Sequence, residues 1–205
     1  AAEAGAQRVV AQSIAFVYRL TGEGLKTEED ELFLEAPPPS GEVVGAVADL
    51  ERTVTGDERV EGVVLRYGYF YGPDTAYSSD GSMAALARRR RLAVVGAGSG
   101  VFSFIHVDDA ARATVAALDR GSRGIYNVVD DDPAPVRDWV PAFAEAIGAP
   151  KPRRVPALLA RLVAGRYTVE LMTASRGASN AKAHAELGLE LRYPSWREGF
   201  RDGLG

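Results

Sequence analysis

The sequence predicts an α/β fold built on a parallel sheet, and three features carry that reading. Val63-Val64-Leu65 is a continuous apolar run with β-branched residues, the pattern of a short strand buried on both faces. Before it, Val43, Val44, Val47, Leu50 and Val54 recur at helical spacing over 41–55, and an earlier strand occupies 8–11. That strand–helix–strand order implies parallel neighbours. The central strand then runs into Arg66 and the aromatic stretch Tyr67-Gly68-Tyr69-Phe70-Tyr71, closed by a Gly72-Pro73 turn. Ligands of open parallel sheets bind beyond the carboxyl ends of the strands, so 67–71 is the first place to look for a site.

The remaining elements follow in order. Ala1 to Ala4 read as the last turn of a helix ended by Gly5, which with the missing initial Met suggests a fragment or a natural truncation. Ser13 closes the first strand, and an apolar segment covers 14–18. A charged loop then leads to Pro37-Pro38-Pro39, which excludes helix. Arg66, at the end of a buried strand, calls for a carboxylate, and Glu51 on the neighbouring helix can supply it. A helix over 82–91 ends in four arginines, suited to the helix dipole. Next come a strand at 92–95, a glycine run at 96–100 and a strand at 101–107. Because strand rather than helix follows the glycines, they read as a hairpin turn and not as a phosphate-binding loop. Asp108 is the expected cap of a helix over 109–118. A strand at 124–129, the acidic turn Asp130-Asp131-Asp132-Pro133 and a helix at 136–147 closed by Gly148 follow. From Lys151 onward, helical pieces are separated by Pro152, Pro156, Gly165 and Gly177, ending at 181–187 and 196–200.

Composition excludes several classes of function. Without cysteine there is neither a disulfide framework nor thiol chemistry. His106 and His184 are too few and too far apart for a zinc site, and the acidic turn reads as solvated rather than as a cation site. A net charge of −4 argues against a nucleic-acid or anionic-membrane surface. No run reaches the roughly 18 apolar residues of a membrane span and no signal peptide opens the chain, so a cytoplasmic address follows by default.

Five segments, in order, resemble one family. They are Gln12-Ser13 with Val17-Tyr18; Leu65-Arg66-Tyr67-Gly68 with Tyr71-Gly72-Pro73; Phe104-Ile105-His106-Val107-Asp108-Asp109; Tyr126-Asn127-Val128; and Ser179-Asn180-Ala181-Lys182 with Glu186-Leu187-Gly188. Together they look like the later part of an extended short-chain dehydrogenase/reductase, the NAD-dependent epimerase/dehydratase family. The resemblance implies a partial doubly wound, Rossmann-like parallel sheet over 1–130, with 74–105 as an inserted loop, helix and hairpin. It implies a small, mostly helical substrate lobe over 131–205. It also places Tyr67, Gly68 and Phe70 at the nicotinamide end of the cofactor, and Tyr69, Tyr71 and Phe102 toward substrate.

The departures from the family are as informative. Its N-terminal half, with the glycine turn that cradles the pyrophosphate, has no counterpart here. NAD or NADP is therefore expected in the full-length protein and not on this chain alone. The family's Tyr-x-x-x-Lys pair lowers a phenol pKa for proton transfer, and here Val43 and Val47 stand in its place. No register restores the pair, since no Tyr lies between Tyr18 and Tyr67 and no Lys between Lys26 and Lys151. The family's catalytic Ser/Thr position is Ile14, with Ser13 one place earlier. Members acting on nucleotide sugars carry an arginine where this chain has Phe102, which cannot grip a diphosphate. Arg166 and Arg176 can replace that anion contact, though outside the family's register.

The reading that follows is an atypical NAD(P)-dependent oxidoreductase or epimerase/dehydratase-type protein acting on a small, largely apolar carbonyl or hydroxyl compound. Tyr18, Tyr69, His106 and Ser13 are its candidates for proton transfer. The alternative is a cofactor-free scaffold or binding module that has lost catalysis. In either case the apolar edge strand at 8–11 is expected to pair with another chain, either a second copy or the missing half.

Overall fold

A computed structural model describes residues 1–205. After a single 3₁₀ turn, Ala2–Ala4, ended by left-handed Gly5, the chain forms β1 (Arg8–Ile14), α1 (Ser40–Gly56), β2 (Glu61–Tyr67) and β3 (Tyr69–Tyr71). Next come α2 (Ser82–Arg88), β4 (Val94–Val95), β5 (Val101–Phe102), β6 (Phe104–His106), α3 (Val107–Asp119) and β7 (Gly124–Val128). The last part holds β8 (Ala134–Pro135), α4 (Val136–Ala146), β9 (Arg154–Val155), α5 (Ala157–Ala164), α6 (Arg166–Ala174), a π-helical turn at Ala183–Leu187 and α7 (Trp196–Asp202).

The main sheet is parallel, in the order β1-β2-β7, with Val10 opposite Val63 and Val63 opposite Gly124. The parallel arrangement expected of 8–11, 62–67 and 125–129 is the one the backbone makes. β2 is the central strand, and Val63, Val64 and Leu65 are fully buried because α1 covers one face of the sheet and α3 the other. α1 comes so close that a Cβ at Gly62 would lie 1.8 Å from the Val54 carbonyl oxygen, so only glycine fits there. A second, two-stranded parallel pair, β3 with β6, continues from the end of β2 and carries the aromatic run.

Four expectations are corrected. β1 runs on to Ile14, so Ser13 lies inside the strand rather than closing it. α1 does not bury its valine stripe: Val44 and Glu51 are its buried residues, while Val43 and Leu50 are 52% and 40% exposed. The glycine run at 96–100 is no hairpin, because β4 pairs with β9 and β5 with β8, and neither pairs with the other. Those glycines lodge instead against α4 and α6, with Gly98 and Gly100 accepting from the Arg137 and Val136 N–H groups and Gly100 donating to the Met172 carbonyl. No helix follows them, so they form no phosphate cradle. Finally, the α3 cap is His106 and not Asp108: its Nδ1 accepts the Asp108 N–H.

Two cores result. One lies between α3, β2, β7 and the π turn, and includes Leu65, Ile105, Tyr126 and Leu187. The other joins residues of 74–105 to α4 and α7, with Phe104, Trp139, Phe143 and Trp196 at its centre. The segment read as an insertion thus packs into the C-terminal elements.

Candidate active site

At the carboxyl ends of β1 and β2 a buried polar network fixes the floor of the site. Arg66, from β2, is bidentate to Glu51 of α1 (Nε–Oε1 2.7 Å, Nη2–Oε2 2.5 Å), and both side chains are almost fully buried. Burial works against the guanidinium charge, but the hydrogen bonds from Arg66 to Glu51 and the charge of that carboxylate outweigh it, so its pKa is raised. The Ser13 hydroxyl donates to the same Glu51 Oε1 at 2.6 Å. Arg66 Nη1 donates to the Tyr18 hydroxyl at 2.7 Å, and that hydroxyl donates in turn to Asn127 Oδ1 on β7, also at 2.7 Å. Burial pushes the Tyr18 phenol up to about 12 in spite of the neighbouring Arg66.

Above this floor stand three rings. Phe16 stacks on Tyr69 with centroids 4.2 Å apart, and Tyr69 stacks on Phe102 at 4.7 Å, the planes within 15° of parallel. Gly68 makes the arrangement possible, since a Cβ there would sit 2.5 Å from the Ser103 carbonyl oxygen and force β3 away from β6. The Tyr69 hydroxyl makes no hydrogen bond, and burial holds its pKa well above the usual phenol range.

The stack divides two spaces. On one side a largely apolar, open cleft of about 500 Å³ is lined by Gln12, Ile14, Phe16, Gly68, Tyr69 and Phe70, together with Asp74, Thr75 and Tyr77. On the other side is an inner pocket of about 30 Å³, bounded by Phe16, Tyr69, Phe102, Lys26, Ser175 and Arg176. Lys26 is spent on Asp30 at 2.9 Å. Arg19, at the same pocket, pairs with Glu31 and Glu35. Arg176 has no carboxylate partner, although its backbone bridges to Val101 beside the stack.

The structure therefore brings together Tyr69, Gly68, Phe70 and Phe102 of the residues expected from the sequence. It places others elsewhere. Tyr67 turns toward α3, its hydroxyl 2.5 Å from that of Thr114. Tyr71 is fully buried among Phe104, His106 and Phe200, away from the cleft. His106 is buried with both ring nitrogens engaged, Nδ1 by the Asp108 N–H and Nε2 by the Gly203 carbonyl at 3.0 Å. Ser13 and Tyr18 belong to the floor network. Phe16 is the residue that sequence reasoning missed: it lies in a plain apolar segment, in the turn that follows β1, and only the fold brings its ring onto Tyr69.

A parallel sheet with α1 and α3 on opposite faces, and a cleft at its carboxyl end, defines a Rossmann-type α/β protein. Residues 44–129 match the model of the NAD dependent epimerase/dehydratase family. A 3-diazoavenalumate denitrifying reductase from a Streptomyces species is 44% identical over 198 residues, covering 96% of this chain and 65% of that protein. UDP-glucose 4-epimerase from Thermotoga maritima superposes with a TM-score of 0.72 at 21% identity, over 99% of this chain and 64% of the epimerase. A human epimerase family protein solved with NADPH gives a TM-score of 0.70 at 19% identity, over 97% of this chain and 65% of its own. Over residues 44–129 the chain is similar to the NAD-dependent epimerase/dehydratase family, and it spans 65% of the length of the curated relative it matches.

Proposed function

We propose that this chain is part of an NAD(P)H-dependent reductase that delivers hydride to a small, largely apolar aromatic compound, with no side chain acting as proton donor. One observation carries the reading: apart from Tyr69 and Asp74, which line the cleft, the side chains expected to move a proton are tied up or absent. Ser13 is bound to Glu51, Tyr18 is held between Arg66 and Asn127, and both nitrogens of His106 serve the backbone. α1 contains neither tyrosine nor lysine. Tyr69 faces the cleft, but its raised pKa makes it a poor acid at neutral pH.

Such a site suits an acceptor whose leaving group departs without protonation. An aromatic carbon bearing a diazonium group is one. Hydride forms the new C–H bond, the C–N bond breaks, its electron pair leaves with N₂, and no proton is taken up or released. The Streptomyces relative is named as a denitrifying reductase of a diazo compound, which supports this class over a nucleotide sugar. Phe102, where nucleotide-sugar enzymes of the family carry arginine, supports it as well.

NADH or NADPH supplies the hydride when bound. Gln12, Ile14, Gly68 and Phe70, at the strand ends, would hold its nicotinamide end in the 500 Å³ cleft. The glycine run at 96–100 is followed by β5 rather than by a helix and offers the pyrophosphate no helix N-terminus, and these residues alone are expected to bind the dinucleotide poorly or not at all. The free edge of β1 is the place where a further strand, from a second copy or from the rest of the protein, completes the sheet. Residues 131–205 act as the substrate lobe by supplying Leu171, Ser175 and Arg176 to the inner pocket.

The test is direct. The full-length protein is mixed with NADH or NADPH and a diazonium-bearing aromatic acid, and N₂ release is compared with nicotinamide oxidation. Equal amounts of both support the reading, and neither would refute it. A second reading, a ligand-binding module without cofactor, draws on the same locked side chains. It predicts ligand binding with no response to NADH or NADPH at millimolar concentration.

A further inference from the structure

We propose that α5, with the arginine-rich segments beside it, is a docking surface for an anionic lipid bilayer. The inference does not depend on the reductase reading above. α5 is amphipathic in the opposite sense from a helix packed on a protein. At about 100° per residue, Leu158, Leu159, Leu162 and Val163 fall within one sector of about 140°, and Ala157, Ala160 and Ala164 fall opposite them. The alanine side faces the lobe, where Ala160 is buried with Val95 and Val169, and the larger aliphatic side chains face out. Leu158, Leu162 and Val163 are 74%, 83% and 91% exposed, and Leu159 is more than half exposed. Single exposed leucines are ordinary. Four aliphatic side chains on one face of two helical turns form a contiguous patch, which marks an interaction surface.

Charge selects the occupant. Segments 81–107 and 146–169 hold nine of the chain's 24 lysines and arginines and none of its 28 aspartates and glutamates. The parallel register of β4 and β9, with Val94 opposite Arg154, joins the two segments, so Arg89, Arg90 and Arg91 approach that pair from the same end as Lys151 and Arg153. These five and Arg154 are all exposed, and none forms an ion pair. α5 begins two residues after β9, and its own Arg161, exposed and likewise unpaired, flanks the aliphatic face. The net charge of −4 thus hides an uneven distribution, and it argues against an anionic surface only for the rest of the molecule. Aliphatic side chains that stand out from the surface suit a deformable layer they can enter, and unpaired arginines beside them suit phosphate headgroups. An acidic partner protein would need a preformed apolar socket for α5, which a bilayer supplies at any point. No helix is long and apolar enough to cross a membrane, so the contact is peripheral.

The probes are vesicles of phosphatidylcholine alone and of phosphatidylcholine mixed with phosphatidylglycerol in equal parts, sedimented with the full-length protein. Wild type should bind the mixed vesicles about tenfold or more tightly than the neutral ones, and added salt should weaken that binding. Leu162→Glu with Val163→Glu should abolish it while leaving Tm unchanged, because both side chains already face water. Arg153→Gln with Arg154→Gln should weaken it by about tenfold or more. Leu158→Trp provides a readout that needs no loss of function: its emission should move to the blue on the mixed vesicles and stay put on the neutral ones. Wild type that binds neither vesicle, or both equally, would overturn the inference. So would a Leu162→Glu, Val163→Glu variant that still sediments, or a Leu158→Trp emission that the mixed vesicles leave unchanged. A wild-type dimer that fails to bind vesicles and that Leu162→Glu with Val163→Glu converts to a monomer would overturn it too, by placing a second copy of the chain on α5.

Discussion

A phenol transfers protons efficiently only when its pKa is drawn toward the working pH, and here burial drives the tyrosines the other way. Tyr69 is therefore a ring before it is an acid. Tyr69→Phe should keep kcat/KM within about threefold, because the stack on Phe16 and Phe102 survives, whereas Tyr69→Ala should lose on the order of tenfold or more through lost ring contact. The same claim predicts a kcat/KM that is flat from about pH 6 to 9, since no side chain of the site need titrate there. A bell-shaped profile that vanishes in Tyr69→Phe would assign the hydroxyl a role it is denied here. At this scale the sequence was partly legible. The aromatic run at the end of β2 marked Gly68, Tyr69 and Phe70 without help from the fold. The same run misled at Tyr67 and Tyr71, because Tyr67 packs on α3 and β3 is short and turns Tyr71 into the second core. His106 looked like a titratable group beside a helix cap, when its ring is itself the cap.

Between α1 and β2 the decisive contact is polar. Glu51 and Arg66 are each under 5% exposed, and removing one partner leaves a buried charge unpaired. Glu51→Ala should destabilise the protein by about 3–5 kcal/mol in denaturant unfolding and loosen Ser13 and Tyr18, while the double change Glu51→Leu with Arg66→Met should recover much of that loss. Equal stability of the single and double variants would show that the pair is not the link. This contact was foreseeable, since an arginine ending a buried strand calls for a carboxylate and Glu51 is near enough. The burial of α1 was less so: the helical period marked an apolar stripe, but Arg66 draws the Glu51 side inward and leaves Val43 and Leu50 outside. The glycine run failed as a hairpin for a related reason. Strand partners are chosen by long-range packing, and β9, 60 residues beyond β4, and β8, which begins 33 residues after β5 begins, were invisible to a local turn signal.

Across the whole molecule, seven of the eight tyrosines have raised pKa values, each through burial first. A group whose folded pKa lies above its unfolded value stabilises below the unfolded pKa and loses that contribution as pH climbs toward the folded one. Stability should therefore hold to about pH 10 and fall between there and 12, with Tyr18 alone worth on the order of 2–3 kcal/mol. Tm measured across that range checks it, and an unchanged Tm at pH 11 would contradict it. β1 ends the sheet with one edge open, and light scattering should find the 205-residue chain associated; a monodisperse monomer would count against pairing there. No helix is long and apolar enough to cross a membrane. The central claim is that hydride arrives at carbon and nothing in the protein supplies a proton. Turnover of a diazonium-bearing aromatic acid with nicotinamide cofactor deuterated at C4, followed by mass spectrometry of the product, tests it most directly. One cofactor-derived deuterium on the carbon that lost N₂, and none when the label is in D₂O instead, is the predicted result; label drawn from D₂O would contradict it.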